Sequence, residues 1–307
     1  MGSKVTPRPL RLRSIVKMSV VLLTFLLPMS PLRATVFAQE KMKAPYLITY
    51  DAHLEEVDAL EIGSVFTRGQ AEGINPFLSN WTEFEYGATN WWTTELYIDW
   101  QHTRDESSLF TGVRFENRIR PWSTAHRVTP VLYVEYEHVN GADKILKEIV
   151  GFDGKEDLAV ANSEARLEHE REIETKLILS SDIGRWNVSG NVIAVKNLHE
   201  GPWEFGYAVG VSRPLGAASG PCTFCRQRFA AGVEVYGGLG EWGDVTFSGT
   251  SQYIAPVLLW TLPTDTSIQV SPGWGVTDQS VGFLFRIGVS QEIDNFGHHL
   301  KRLFGGS

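Results

Sequence analysis

Cysteine is nearly absent from this chain, which has two in 307 residues. A disulfide-dense secreted scaffold and a multi-thiol zinc module are both excluded on that count. Long apolar runs are also scarce. The run Ser19–Leu27 is the one notable example, and it is too short to cross a bilayer as a helix. Basic charge is the third deficit: 28 Lys and Arg stand against 36 Asp and Glu, for a net charge of −8. No low-complexity stretch, internal repeat or domain linker breaks the chain.

What basic charge there is gathers at the start, where Lys4, Arg8, Arg11, Arg13 and Lys17 precede the apolar run and Val36-Phe37-Ala38 follows it. That order is the pattern of an export signal over residues 1–38, cut near Ala38, with an uncleaved anchor as the alternative. Its removal takes six basic groups and no acid, which leaves the mature chain at −14. A charge of that sign argues against nucleic acid as a partner and against electrostatic attachment to an anionic surface.

Strict alternation dominates the remainder. In Trp81–Trp100, Glu83 and Glu85 share a face with Trp81, while Thr82, Phe84, Tyr86 and Ala88 fill the other. The run then restarts with Trp92, Thr94, Leu96, Ile98 and Trp100 opposed to Thr93, Glu95, Tyr97 and Asp99. Period two means strands, and an apolar face capped by aromatics at both ends suits a hydrocarbon slab with interfacial belts. Twelve such runs are expected, beginning near residue 60 and continuing over 79–88, 92–102, 108–120, 129–139, 165–181, 186–197, 203–213, 228–238, 251–262, 265–274 and 280–293.

Several assignments inside this series are specific. Leu109, Thr111, Val113, Phe115 and Ile119 are read as the greasy face opposite Arg114, Glu116, Arg118 and Arg120. Residues 165–176 read as the start of a long strand in preference to a helix followed by a strand. Gly206, Ala208, Gly210 and Ser212 leave room inside for side chains from other strands. Val281, Phe283, Phe285, Ile287 and Val289 form the outer face of the last run. Short links at 88–90, 183–185 and 263–265 are expected at one end, and longer ones at 69–78, 140–163 and 239–250 at the other. The 140–163 link has helical spacing over Lys144–Val150 and could gate the mouth.

Together these features resemble the single-chain β-barrels of Gram-negative outer membranes, in the size range of twelve-stranded porin-like channels. The resemblance covers about residues 59 to 293 and carries no substrate motif. It implies an all-β, antiparallel transmembrane barrel after a periplasmic segment over 39–58, with a tail over 294–307. Gly282-Phe-Leu-Phe285-Arg-Ile287 is similar to the aromatic final strand that the barrel assembly machinery reads, although here the tail follows it. The implied function is a pore or transporter for a small solute, with outer-membrane lipid as the surrounding partner. A periplasmic or secreted all-β binding protein is the alternative, and an outer-membrane enzyme is the third reading.

In such a barrel the inward charges are Glu83, Glu85, Glu95, Asp99, Arg114, Glu116, Arg118, Arg120, Glu135, Glu137, Glu172, Glu174, Lys176, Glu204, Glu234 and Arg286. They either line a water-filled pore or neutralise one another as a salt-bridge network. Catalysis by pairs such as Glu135 and Glu137 is not expected, because any polar strand face generates alternate carboxylates. The eight histidines have no metal-ligand spacing, and His298-His299 reads as a polar terminus. Gly237–Gly240 lies between a strand and a loop, so it offers no phosphate cradle and no cofactor is expected. Cys222-Thr-Phe-Cys225 reads as a small disulfide loop, in preference to a redox or metal pair.

Overall fold

The computed structural model describes residues 43–122, 126–145, 158–199, 201–216 and 222–304. The export signal expected over 1–38 lies outside the described residues, as does most of the helix expected over 144–150. Twelve long strands follow the alternation: β1 (Leu60–Ala71), β2 (Ile74–Thr89), β3 (Trp92–Thr103), β4 (Ser108–Ile119), β5 (Thr129–Asn140) and β6 (His169–Ile183), then β7 (Trp186–Asn197), β8 (Trp203–Pro214), β9 (Phe229–Glu241), β10 (Gln252–Thr261), β11 (Thr266–Gly275) and β12 (Phe283–Ile293). Asp244–Val245 adds a two-residue ladder beside the end of β9. Each strand pairs antiparallel with the next, and β12 returns to β1 from Leu60↔Ile293 to Gln70↔Phe283. The sheet is therefore closed, with no free edge.

Closure separates the two faces of every strand. Along β5, Val131, Tyr133 and Glu135 are at most 1% exposed, while Leu132, Val134 and Tyr136 are 42–48% exposed. The same outward stripe continues through Leu96, Ile98 and Phe115 on β3 and β4, and Phe283, Phe285, Ile287 and Val289 on β12. A girdle of exposed aliphatic and aromatic side chains is unfavourable in water and is what hydrocarbon requires. It argues against the water-soluble binding protein.

Four readings of the sequence need correction. The long link expected at 69–78 is a two-residue turn at Glu72-Gly73, because β1 and β2 continue past the expected stretch and pair to Ala71↔Ile74 across a bulge. Thr111 faces inward: a bulge sets Asp99 against Gly112 and Trp100 against Phe110, and the extra residue reverses the frame above it. Strand β6 begins at His169, after a one-turn helix α1 (Asn162–Ala165). Val281 precedes β12 and is fully buried at the mouth.

The start of β1 and the end of β12 lie at the end with the short turns, 90–91, 184–185 and 262–265, where β4 also leads to β5 and β8 to β9. Left-handed backbone at Gly184 (φ 63°) and Asp265 (φ 57°) tightens two of these turns. The far end carries 141–168 and 242–251. After β12 the tail forms a helix, α2 (Phe296–Phe304), whose first backbone N–H donates to the carbonyl of Asp58.

Candidate functional site in the barrel lumen

The interior is filled from within the chain. Residues 43–58, expected beneath the barrel, pack against its inner wall. The segment has no regular secondary structure, so its backbone groups need partners, and lumen side chains supply them. The Glu234 carboxylate accepts from the N–H groups of Leu47, Ile48 and Thr49 at 3.1, 2.9 and 2.6 Å. Asn191 holds Tyr50 from both sides, accepting from its N–H at 2.7 Å and donating to its carbonyl at 2.9 Å. Gln269 donates to the Tyr46 carbonyl, and the Glu55 N–H donates to the Thr93 hydroxyl.

Side chains of the segment then occupy the space that small wall residues leave. A Cβ on Gly210 would sit 2.5 Å from the Tyr46 ring, whose hydroxyl donates to Asn187 at 3.0 Å. On the inner face Gly206, Ala208, Gly210 and Ser212, Tyr46 thus fills the space at Gly210 and Ala208 clusters with Ile48, where the sequence pointed to side chains from other strands. Tyr50 packs edge-on against Tyr133 at 5.1 Å and donates to Glu116 at 3.1 Å. From the far mouth, Leu158 joins an apolar cluster with Ile48, Phe77, Tyr236, Tyr253 and Leu284. Thr111 donates to Asp143, and Asn162 accepts from Gln101 and Thr103. A cavity of about 90 Å³ remains beside Lys43, Tyr46, Tyr50, Glu95 and Arg118.

The structure brings most of the expected inward charges together in and around this packing. Arg118 reaches Glu85, Glu95 at 3.3 Å and Glu116 at 2.8 Å. Arg114 grips both Asp99 oxygens at 2.9 and 3.2 Å, reaches Glu135 at 3.4 Å, and lies 4.0 Å from the Tyr97 ring centre. Lys176 binds Glu174 at 2.6 Å beneath the Tyr50 and Tyr133 rings. Arg286 is wholly buried and donates to the Tyr236 hydroxyl at 2.5 Å. Glu137 is buried, whereas Glu83, Glu172 and Glu204 are half-buried. Arg120 stands apart, just past β4, where it holds the carbonyls of Ala52 and Asn90 at the rim. Cys222 and Cys225 are joined as a disulfide in the β8–β9 link, away from the lumen.

Lys43 was missed by the sequence reading. Its ammonium contacts Glu61, Glu55 and Glu85 at 2.9, 3.3 and 3.8 Å. Burial works to lower its pKa, but these carboxylates outweigh that and hold it well above the usual lysine value. Burial also lowers the pKa of His53, against the opposing pull of Asp51 and Glu55. The available signal was compositional. Tyr46, Leu47, Ile48 and Tyr50 make 43–58 too apolar for a solvated leader, and β8 presented an unfilled inner face.

No family model matches the chain, and no curated protein does. Among solved structures it is similar to an outer membrane channel from Pseudomonas putida F1, at TM-score 0.54 and 10% identity over 81% of this chain and all of that one. The KdgM porin aligns at TM-score 0.47 and 9% identity, covering 75% and 98% of the two chains. LpxR from Salmonella typhimurium aligns at 0.42 and 11%, covering 76% and 99%. At these identities the likeness extends to the fold: this is a closed β-barrel of the outer-membrane kind.

Proposed function

We propose that the chain is an outer-membrane pore or small-solute transporter, closed at rest by residues 43–58 from one end and by residues 141–145 and 158–162 from the other. The observation that carries this reading is the way the plug is held. Its backbone is bound by polar side chains such as Glu234, Asn191 and Gln269, and water can replace each of those bonds when the segment leaves. Once vacated, the lumen would present the Arg114 and Arg118 clusters and their carboxylates to a solute, and their charges would set selectivity. Cleavage near Ala38 would leave Gln39 as the first residue, four positions before Lys43. On this reading the mature chain reaches a Gram-negative outer membrane through the assembly machinery and lies in its lipid.

Conductance across planar bilayers tests the proposal. The wild-type chain should be mostly silent. Gly210→Val, which denies Tyr46 its place, should raise the open fraction at least tenfold while the barrel still migrates anomalously when unheated in SDS. If the folded variant stays silent, the pore reading is wrong and a plugged barrel with another role, such as an enzyme, takes its place.

A further inference from the structure

We propose that Glu135, Glu137 and Glu174 form a site for a hard divalent cation, with Ca²⁺ as its ligand. The three come from β5 and β6, where Glu135 lies directly opposite Glu174 and Glu137 is one inward position further along. Such pairing of like charges across a ladder is unfavourable in itself. Their exposures are 1, 2 and 7%, and one oxygen from each lies within 4.8 Å of the other two. An ion about 2.4 Å from each oxygen, a usual Ca²⁺ distance, permits separations up to about 4.8 Å.

The surrounding charges leave the site short of cation. Asp99, Glu135, Glu137 and Glu174 contribute four negative charges, and Arg114 and Lys176 contribute two positive ones. Arg114 is committed to both oxygens of Asp99 and touches Glu135 only at its longest contacts, 3.4 and 3.5 Å. Lys176 takes one oxygen of Glu174. Independently of the cluster's charge, the Glu137 Oε2 atom is fully buried and has no hydrogen-bond partner. A buried carboxylate oxygen with no partner is costly unless a cation or proton meets it. The other buried glutamate trio, Glu55, Glu61 and Glu85, shows the satisfied case, since Lys43 occupies the equivalent place with its ammonium. At Glu135, Glu137 and Glu174 at least two units of negative charge remain, with Glu172 directly opposite Glu137 as a further carboxylate, and one divalent ion offsets two of them.

Calorimetric titration of the purified full chain in detergent, stripped with chelator and then given CaCl2, tests this. About one equivalent of Ca²⁺ should bind, and Glu137→Gln or Glu135→Gln should weaken binding at least tenfold while both variants keep the unheated SDS mobility of a folded barrel. Glu164→Gln, an exposed change on α1, should leave the titration unaltered. Absence of a stoichiometric Ca²⁺ isotherm would overturn the proposal, as would binding that both glutamate variants retain. A preference for Mg²⁺ over Ca²⁺ would overturn the choice of ion. Since the readout is binding, it is independent of whether the barrel conducts.

Discussion

Arg118 illustrates what a single side chain does inside this barrel. With its guanidinium among Glu85, Glu95 and Glu116, it lets three inward carboxylates coexist in a buried space. Removing one partner of a buried ionic group strands the others, at a cost of about 3–5 kcal/mol. Arg118→Met should therefore lower the urea midpoint of the folded barrel by an amount equivalent to that figure. Arg104→Ala, which loses only an exposed contact to Asp105, should change stability by about 0.5 kcal/mol or less. Equal effects from the two would show that the Arg118 cluster is solvated. The inward position of Arg118 was legible in β4, where it alternates with Phe115 and Ile119. Its partners were not, because the choice among Glu85, Glu95 and Glu116 depends on register across three strands. Thr111 was misread for a related reason: a bulge at Gly112 leaves no mark in a period-two pattern.

Among the elements, residues 43–58 fill the lumen, and on the proposed reading their release opens it. Nothing in their order signals a strand or helix, and their partners on the barrel wall range from Glu61, 18 positions from Lys43, to Gln269, 224 positions from Pro45. A local pattern therefore could not place them. His53 gives this element a dependence on pH. Its ring lies among Asp51, Glu55 and Lys43 of the same segment and Arg118 of β4, and its docked pKa lies below the free value of about 6.5. The released segment therefore binds a proton more readily than the docked one. Docking is at full strength above about pH 6.5 and weakens as pH falls from there toward the docked value. Moving from pH 7.5 to 5.5 should raise the open fraction in bilayer recordings, and His53→Gln should flatten that response. An unchanged response in the variant would assign the pH effect elsewhere. The tail adds a second device at the same end. The Asp58 carboxylate accepts from the Gly297 N–H and the Tyr86 hydroxyl, so it ties the start of α2 to the end of the 43–58 segment. Asp58→Ala should loosen α2 and speed hydrogen exchange at its first amides, with the exchange of β6 unchanged.

For the molecule as a whole, alternation settled the architecture because only every second side chain had to satisfy lipid. The number of strands, their order and most inward charges followed from that one constraint. The filled lumen did not follow, since the pattern says which face is polar and nothing about what occupies the space it encloses. Lipid contact has its own energetic signature. Val134→Arg places a charge in the outer girdle and should cost about 2–4 kcal/mol if the site lies near the bilayer midplane.

The most direct test is a cysteine scan of residues 131–137 in a chain lacking Cys222 and Cys225, each site carrying a fluorophore and reconstituted into vesicles with brominated acyl chains. Quenching should be strong at Leu132, Val134 and Tyr136 and weak at Val131, Tyr133, Glu135 and Glu137. Uniform quenching along the strand, or quenching confined to the odd-numbered positions, would contradict a barrel whose greasy face meets lipid around an enclosed polar interior.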